Sequence, residues 1–290
     1  MYDILIIGGG PAGLSAAVAA QGRGRQCLIL SNPGAQNPLA KAPAIHNYLG
    51  LTGLDGQSMM DTFIDHALKM GAELRVGRVL SAMCLDGVFY LTVGSEVYEG
   101  RKLILATGVQ RGQKYPGEER LLGRGVSYCA TCDGMLFRRR PVVVIGRAKD
   151  APQEAAYLRQ IGCEVTYVSP ATPEGLPEDI PFVRAHRLEI LGEEQVTGVR
   201  ADGAVLPCEG VFILRDTVAP ADLFPDLAWS EGYIQVNRQM ETNLPGIYAA
   251  GDCTGKPLQI AKAVGEGLIA GEAAAEALEA EEAAAKAQTI

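Results

Sequence analysis

Asp3-Ile4-Leu5-Ile6-Ile7-Gly8-Gly9-Gly10-Pro11-Ala12-Gly13 is an apolar strand running into a glycine-rich turn, and an alanine-rich stretch with helical character follows to about residue 21. Each glycine has its own task in such a turn. Gly8 permits the tight reversal, Gly10 lets backbone approach a pyrophosphate, and Gly13 lets the helix lie close to the sheet. Pro11 and Ala12 complete the fingerprint, and the N–H groups and positive dipole end of the helix that follows favour a phosphate. The pattern predicts a dinucleotide-binding βαβ unit rather than a merely structural glycine turn. The acid that would ordinarily end the next strand is missing. Leu28-Ile29-Leu30 runs into Ser31-Asn32-Pro33-Gly34, where Ser31 or Asn32 could bond a ribose without charge.

Working outward, a helix is expected over 58–70, with Met59, Phe63, Ala67 and Met70 as its core stripe. Residues 73–105 then alternate as antiparallel strands would, at 74–76, 88–93, 97–98 and 103–106. The plan begins again at Val142-Val143-Val144-Ile145-Gly146, with a helix over 151–161, a strand over 165–168 and short strands ending at 212–214. The fold class is therefore α/β, with two Rossmann-like dinucleotide-binding domains, each carrying an antiparallel β-layer. Residues 247–252 read as another strand entering a tight turn. A helix is expected over 258–286, and residues 279–290 read as a solvated end.

The second glycine loop breaks the rule. Gly146-Arg147-Ala148-Lys149-Asp150-Ala151 keeps only the first glycine, and side chains at Arg147 and Ala148 would crowd a pyrophosphate. A basic side chain holding a phosphate is the alternative. After the next strand, where a 2′-phosphate needs arginines, the chain reads Ser169-Pro170-Ala171-Thr172-Pro173-Glu174, without a basic cluster.

Between the two βαβ patterns stands Cys129-Ala130-Thr131-Cys132-Asp133. Two thiols at this spacing can close a disulfide, and their proximity stabilises one thiolate. Asp133 adds a carboxylate able to move a proton when the bond opens. Half a zinc site has the same spacing. No second Cys-x-x-Cys follows, however, and His46, His66 and His186 are scattered, so redox chemistry is favoured and no metal site is expected. Cys27 and Cys163 read as small buried hydrophobes, and Cys253 as a packed residue rather than a third redox thiol.

The chain has 290 residues, which suggests about two domains. Its 34 acidic against 26 basic residues give a net charge of −8, so there is no global pull toward nucleic acid or an anionic membrane. No apolar run approaches the ~20 residues that span a bilayer, and no basic segment precedes the first strand. A cytoplasmic protein with neither nucleic-acid nor membrane partners is expected.

Gly8–Gly13, Ala106-Thr107-Gly108, Cys129–Asp133 and Gly251-Asp252 occur in an order that resembles the low-molecular-weight thioredoxin reductases, over essentially the whole chain from Asp3 to about Ala275. The resemblance implies an FAD-binding domain assembled from residues 1–110 and 234–290. It also implies an inserted NAD(P)H-type domain over 111–233 that carries the disulfide, and a homodimer. Asp252 would bond the ribityl chain of FAD, with Gly251 allowing close approach. Ala106, Thr107 and Gly108 would line the crossover, and Asn47 would touch the flavin region. Cys132 would face the flavin, Cys129 would attack the partner disulfide of thioredoxin or a thioredoxin-like protein, and Asp133 would donate and accept the proton.

The departures are as informative. The usual Gly-Gly-Gln-Leu after the second strand is absent, and Asn37-Pro38-Leu39 and Ile45-His46-Asn47-Tyr48-Leu49-Gly50 stand nearby instead. With the degenerate second loop, the chain is similar to the atypical branch of the family, whose members include reductases fed by ferredoxin. Reduced ferredoxin delivers single electrons, so two encounters serve each disulfide, whereas NADPH delivers a hydride in one step. Arg138–Arg140 and Arg23/Arg25 are candidates for a ferredoxin contact, against the plainer reading of a solvated charged surface. Two further readings stand beside this one: a remodelled pocket that still takes NADH or NADPH, and a non-catalytic flavin redox sensor.

Overall fold

The strand that opens the chain, β1 (Tyr2–Ile7), has Ile4, Leu5 and Ile6 completely buried, so it must lie inside a sheet covered on both faces. A computed structural model describes residues 1–32, 37–109, 114–215 and 218–288. Within it the chain divides into two compact units, Met1–Gln110 with Ala219–Ile290, and Arg111–Val218. The segment 219–233 thus groups with the first unit.

In the first unit β1 is followed by α1 (Pro11–Gly22), β2 (Cys27–Ser31), α2 (Gly56–Lys69), β3 (Glu73–Val76), β4 (Val79–Leu85), β5 (Val88–Val93) and β6 (Glu96–Leu105). The sheet order is β3-β2-β1-β6-β5-β4. β3 pairs β2 in parallel, at Leu28↔Glu73 through Ser31↔Val76, so it extends the parallel sheet rather than the antiparallel layer expected for it. The two strands expected at 97–98 and 103–106 are one. Its first half pairs β5 antiparallel as far as Gly100, and from Gly100 onward it pairs β1 in parallel. A Cβ at Gly100 would lie 2.5 Å from Leu5 Cγ, so glycine is needed where the strand changes partners. β4, absent from the sequence reading, buries only Val79 well and leaves no alternation to detect. In α2, Met59 and Ala67 are buried as expected and Met60 is buried as well, but Met70, at the C-cap, is exposed.

The second unit runs α3 (Glu118–Leu121), β7 (Val126–Ser127), α4 (Ala130–Asp133), β8 (Pro141–Gly146), α5 (Ala151–Gln160), β9 (Glu164–Ser169), β10 (Phe182–Arg184), β11 (Leu188–Leu191), β12 (Gly198–Ala201), β13 (Ala204–Pro207) and β14 (Gly210–Leu214). Its parallel sheet has the order β10-β9-β8-β14-β7, and β11-β12-β13 form an antiparallel layer. Cys163 is buried here, as Cys27 is in the first unit.

The chain completes the first unit with α6 (Pro220–Leu223), the pair β15 (Trp229–Ser230) and β16 (Tyr233–Ile234), then β17 (Ile247–Ala249) and α7 (Ile260–Gln288). β17 pairs β6 in parallel at Ile247↔Leu103 through Ala249↔Leu105. α7 lies against α1 through small residues on both sides. A Cβ at Gly267 would stand 2.1 Å from the Ala12 carbonyl oxygen, and one at Gly271 would stand 2.4 Å from that of Ala16. The end of α7 is not simply solvated. Glu279 and Glu272 hold Arg23 (2.7 and 2.8 Å), and Glu282 holds Arg25 and Arg101 (2.8 and 2.7 Å). Glu281 pairs with Lys102. The Arg25 and Arg101 guanidiniums bring the Glu282 carboxyl down to about 2. Arg23 and Arg25 are thereby ion-paired within the unit.

Candidate functional site

In the first unit, β1 delivers the chain to Gly8, whose φ of +116° suits glycine. Its N–H donates to the Leu30 carbonyl at 2.8 Å. A Cβ there would meet the Ala106 carbonyl oxygen at 2.2 Å, and one at Gly13 would meet the Gly8 carbonyl oxygen at 1.9 Å. Neither carbonyl can yield, since both are backbone. Gly10 sits extended at the N-cap without a side-chain cap, and Pro11 opens the helix, which leaves the first N–H groups of α1 directed outward. Ser31 ends β2 directly over the loop: a Cβ on Gly9 would lie 2.6 Å from its Oγ. Asn32 follows Ser31 at the strand's end, while Pro33 and Gly34 lie outside the described residues.

Gly251 returns to the same place. With φ of +90°, it packs so closely that a Cβ would lie 2.8 Å from Ala12 Cβ, which sets Asp252 beside the loop. Burial pushes the Asp252 carboxyl up, against the pull of Lys262. Thr107, next to Ala106 and Gly108 at the end of β6, has a buried Oγ1 with no hydrogen-bond partner among the described residues. An orphaned hydroxyl at the carboxyl edge of a parallel sheet is what a ligand's polar group would satisfy. Asn47 lies on an exposed loop and donates from Nδ2 to Gln259 Oε1 at 2.9 Å, which ties that loop to the approach of α7.

A second set of residues escaped the sequence reading. Lys262 Nζ donates to the carbonyls of Gly251 (2.7 Å) and Gly255 (2.8 Å) and to Thr254 Oγ1 (2.8 Å), and pairs with Glu266 at 3.0 Å. Glu266 accepts from the Gly251 N–H at 2.9 Å. The i,i+4 spacing of Lys262 and Glu266 was the available signal, but it reads equally as a surface pair. Cys253 is buried, its thiol donates to the Leu105 and Ala250 carbonyls, and burial pushes it up to about 11. It is inert packing, as expected.

In the second unit, β7 leads into the paired cysteines. Cys129 caps the one-turn helix α4, and Cys129 and Cys132 are joined by a disulfide with a Cα–Cα distance of 5.3 Å. The Cys132 N–H points at Cys129 Sγ from 3.0 Å, an arrangement that would stabilise negative charge on that sulfur once the bond opens. Cys132 is exposed and Cys129 is buried. Asp133, half-buried, accepts from Ser127 Oγ at 2.7 Å. Tyr128, next to Cys129, donates to Glu118 Oε1 at 2.9 Å. Glu118 is wholly buried and also takes both guanidinium nitrogens of Arg215, at 2.6 and 2.7 Å, and the Tyr115 N–H at 2.8 Å. Burial pushes the Glu118 carboxyl up, but Arg215 and the other donors outweigh it and hold the group below the usual carboxylate range. The Arg215 guanidinium lies over the Tyr115 ring, 5.2 Å from its centroid. None of Ser127, Glu118 and Arg215 was singled out from sequence: Glu118 and Arg215 lie 97 residues apart, and a serine six residues before Asp133 carries no signal of its own.

The second glycine loop is built differently from the first. The N–H groups of Arg147 and Ala148 both donate to the Leu214 carbonyl at 2.8 Å. A Cβ at Gly146 would lie 1.8 Å from Tyr167 Oη, because the Tyr167 side chain fills the space beside the loop. Burial, then the Asp150 carboxylate, pushes that phenol up to about 12. Across the next strand end, Arg184 donates to Thr172 Oγ1 at 2.8 Å, so one arginine does reach the 169–174 segment through tertiary structure. Among the described residues no group of three or more His, Cys, Asp or Glu side chains could hold a metal, and no helix is long and apolar enough to cross a membrane.

A parallel sheet with a glycine cradle in the first unit, and a second parallel sheet with a disulfide on a helix turn in the other, are the marks of a pyridine-nucleotide-disulfide type of oxidoreductase. A sequence profile of the pyridine nucleotide-disulphide oxidoreductases matches residues 2–267. A thioredoxin reductase of Listeria innocua is 36% identical, over 94% of this chain and 92% of its own. The crystal structure of a ferredoxin-flavin thioredoxin reductase from Clostridium acetobutylicum superposes with a TM-score of 0.87 at 39% identity, covering 96% of this chain and 98% of that one. An atypical thioredoxin reductase from Desulfovibrio vulgaris Hildenborough follows at 0.72 and 30%, covering 97% and 99%. The chain belongs to the pyridine nucleotide-disulphide oxidoreductase family and, within it, to the thioredoxin reductases, which are flavoproteins.

Proposed function

We propose that the chain reduces the disulfide of thioredoxin, or of a thioredoxin-like protein, through Cys129 and Cys132, with electrons from reduced ferredoxin rather than NADPH. The observation that carries the donor assignment is the second loop. A phosphate-binding turn works by presenting free backbone N–H groups across a gap that only glycine leaves open. Here those of Arg147 and Ala148 are consumed by Leu214, and Tyr167 occupies the gap beside Gly146. The 0.87 superposition on a ferredoxin-flavin thioredoxin reductase supports the same reading.

FAD fits the first unit. Gly8, Gly10, Pro11, Ala12 and Gly13 would cradle its pyrophosphate, Ser31 or Asn32 its ribose, and Gly251 and Asp252 its ribityl chain. Ala106, Thr107 and Gly108, with the orphaned Thr107 hydroxyl, would line the flavin side, with Asn47 nearby. When bound, FAD supplies a two-electron carrier between the donor and the disulfide. In this reading Cys132 faces the flavin, Cys129 attacks the partner disulfide and Asp133 moves the proton. The first unit carries the cofactor, the second carries the disulfide, and two chains associate as a homodimer.

The test is anaerobic: the oxidised flavoprotein is mixed with NADPH, NADH or chemically reduced ferredoxin, and flavin absorbance is followed. Bleaching by ferredoxin alone is expected. Saturable bleaching by NADPH at micromolar concentration would instead point to a remodelled nucleotide pocket, with Arg147 and Arg184 as its first candidates. Cys129→Ser and Cys132→Ser are each expected to abolish thioredoxin reduction while keeping flavin. A non-catalytic sensor would have no such activity to lose.

A further inference from the structure

Ser127 is almost completely buried at the end of β7, and its hydroxyl meets the redox segment at three atoms. Its Oγ donates to Asp133 Oδ2 at 2.7 Å, the length of a charge-assisted bond, with the Cys129 carbonyl a longer acceptor at 3.2 Å, and it accepts the Cys129 N–H at 3.1 Å. Ser127 is the side-chain hydrogen-bond partner of Asp133 among the described residues. One hydroxyl therefore joins the start of the Cys129 turn to the carboxylate one turn later, across the helix that the disulfide closes. A carboxylate at the end of a single helical turn has freely rotating side-chain torsions unless something fixes them. Ser127 does that from the strand beneath.

We infer that Ser127 is a positioning residue for proton transfer at the Cys129–Cys132 pair, acting through Asp133; the inference rests on the proposed role of Asp133. In the exchange, one thiol of the reduced pair gives its proton to the Asp133 carboxylate, and the resulting thiolate attacks a sulfur of the partner disulfide. A mixed S–S bond forms, the partner's own S–S bond breaks, and the departing partner sulfur takes the electron pair and then the proton held on Asp133. The remaining thiol loses its proton to Asp133 in turn and attacks the mixed disulfide, re-forming the Cys129–Cys132 bond, and the second partner sulfur leaves with its electron pair and takes that proton. Two electrons and two protons pass from the chain to the partner. The step is sensitive to where the Asp133 oxygen stands, and a misplacement of about 1 Å costs on the order of 100-fold.

The experiment compares Ser127→Ala, Ser127→Thr, Asp133→Asn and the double variant Ser127→Ala/Asp133→Asn, all flavin-loaded. The expected result for Ser127→Ala is a kcat for thioredoxin reduction lower by roughly 10–100-fold, with KM unchanged and the flavin spectrum retained. Ser127→Thr, which keeps the hydroxyl, restores most of the rate. The double variant is no slower than Asp133→Asn, because two residues acting through one carboxylate are not additive. The inference is overturned if the two losses multiply, if Ser127→Ala changes the rate less than about twofold, or if Ser127→Thr fails to restore it. Should Ser127→Ala lose its flavin, Ser127→Gly, which likewise removes the hydroxyl, gives the same comparison. A second arm needs no partner: reduction of the Cys129–Cys132 disulfide by dithiothreitol, read by alkylation of the released thiols. If the parent does not reduce thioredoxin, the proposed function fails while this arm still reports on Ser127 through the same pattern of slowing and rescue.

Discussion

Gly8–Gly13 and Gly146–Ala151 occupy the same place in two sheets of the same plan, and they have opposite contents. In the first, the carbonyls of Gly8 and Ala106 stand where any Cβ would go, and the helix starts at once with its N–H groups uncommitted to a side-chain cap. In the second, the helix starts at Ala151, five residues after Gly146, and the intervening N–H groups of Arg147 and Ala148 turn inward to Leu214. Tyr167 fills the space beside Gly146. A Rossmann-type loop can thus satisfy its own backbone without a ligand. The strand, the turn and the helix are kept, while Ala148 and Ala151 stand where the first loop has Gly10 and Gly13.

Substitutions can break or sharpen this contrast. The largest effect is expected from Gly13→Ala, whose Cβ would stand 1.9 Å from a fixed carbonyl. Flavin affinity should fall at least tenfold, about 1.4 kcal/mol, seen as loss of visible flavin absorbance in the purified protein. If Gly13→Ala keeps its full flavin content, the first loop is not the cradle described here.

Next is Glu118→Ala, which would remove two hydrogen bonds from the Arg215 guanidinium and one from Tyr128. It should destabilise the second unit by ~3–5 kcal/mol, measured by urea unfolding, and it tests whether that unit has its own buried polar anchor in place of a ligand. Because Glu118 is held below the usual carboxylate range, its contribution is complete above the unfolded carboxylate value of about 4.3 and is lost as pH falls through the lower folded value. The parent should therefore lose stability on acidification more steeply than Glu118→Gln.

Gly146→Ala is expected to cost ~1–3 kcal/mol, since its Cβ would press on a ring packed in the core, while leaving flavin content intact. Equal flavin loss in Gly146→Ala and Gly13→Ala would erase the distinction between the loops. The smallest change is expected from Tyr167→Phe, at most ~1.5 kcal/mol, with no gain of bleaching by NADPH, because the Leu214 carbonyl still holds both N–H groups.

Much of this was legible along the chain, where the physics is local. A strand–glycine–helix pattern has one steric solution, so the Gly8–Gly13 cradle, both parallel sheets and the paired cysteines could be read from spacing. Local reading failed where register decides. β3 at 73–76 looked antiparallel because its neighbour in sequence is antiparallel, yet it pairs β2. β6 looked like two strands because its partners, and so its burial pattern, change at Gly100. Met70 fits the helical stripe of α2 but falls at its C-cap and is exposed, while Met60, near the start of the helix, is buried.

The sequence by itself determined the family, the α/β architecture, the position of the disulfide and the loss of glycines from the second loop, because each is written in residues close together. Tertiary structure alone decided what replaced those glycines and what holds the redox turn. Tyr167 reaches Gly146 from the next strand, Leu214 takes two N–H groups from β14, and Arg215 closes on Glu118 across 97 residues. Arg25 and Glu282, far apart in the chain, meet only when α7 packs on the first sheet. A buried polar group must find a partner wherever the fold brings one, and no local pattern names a partner that arrives from another strand.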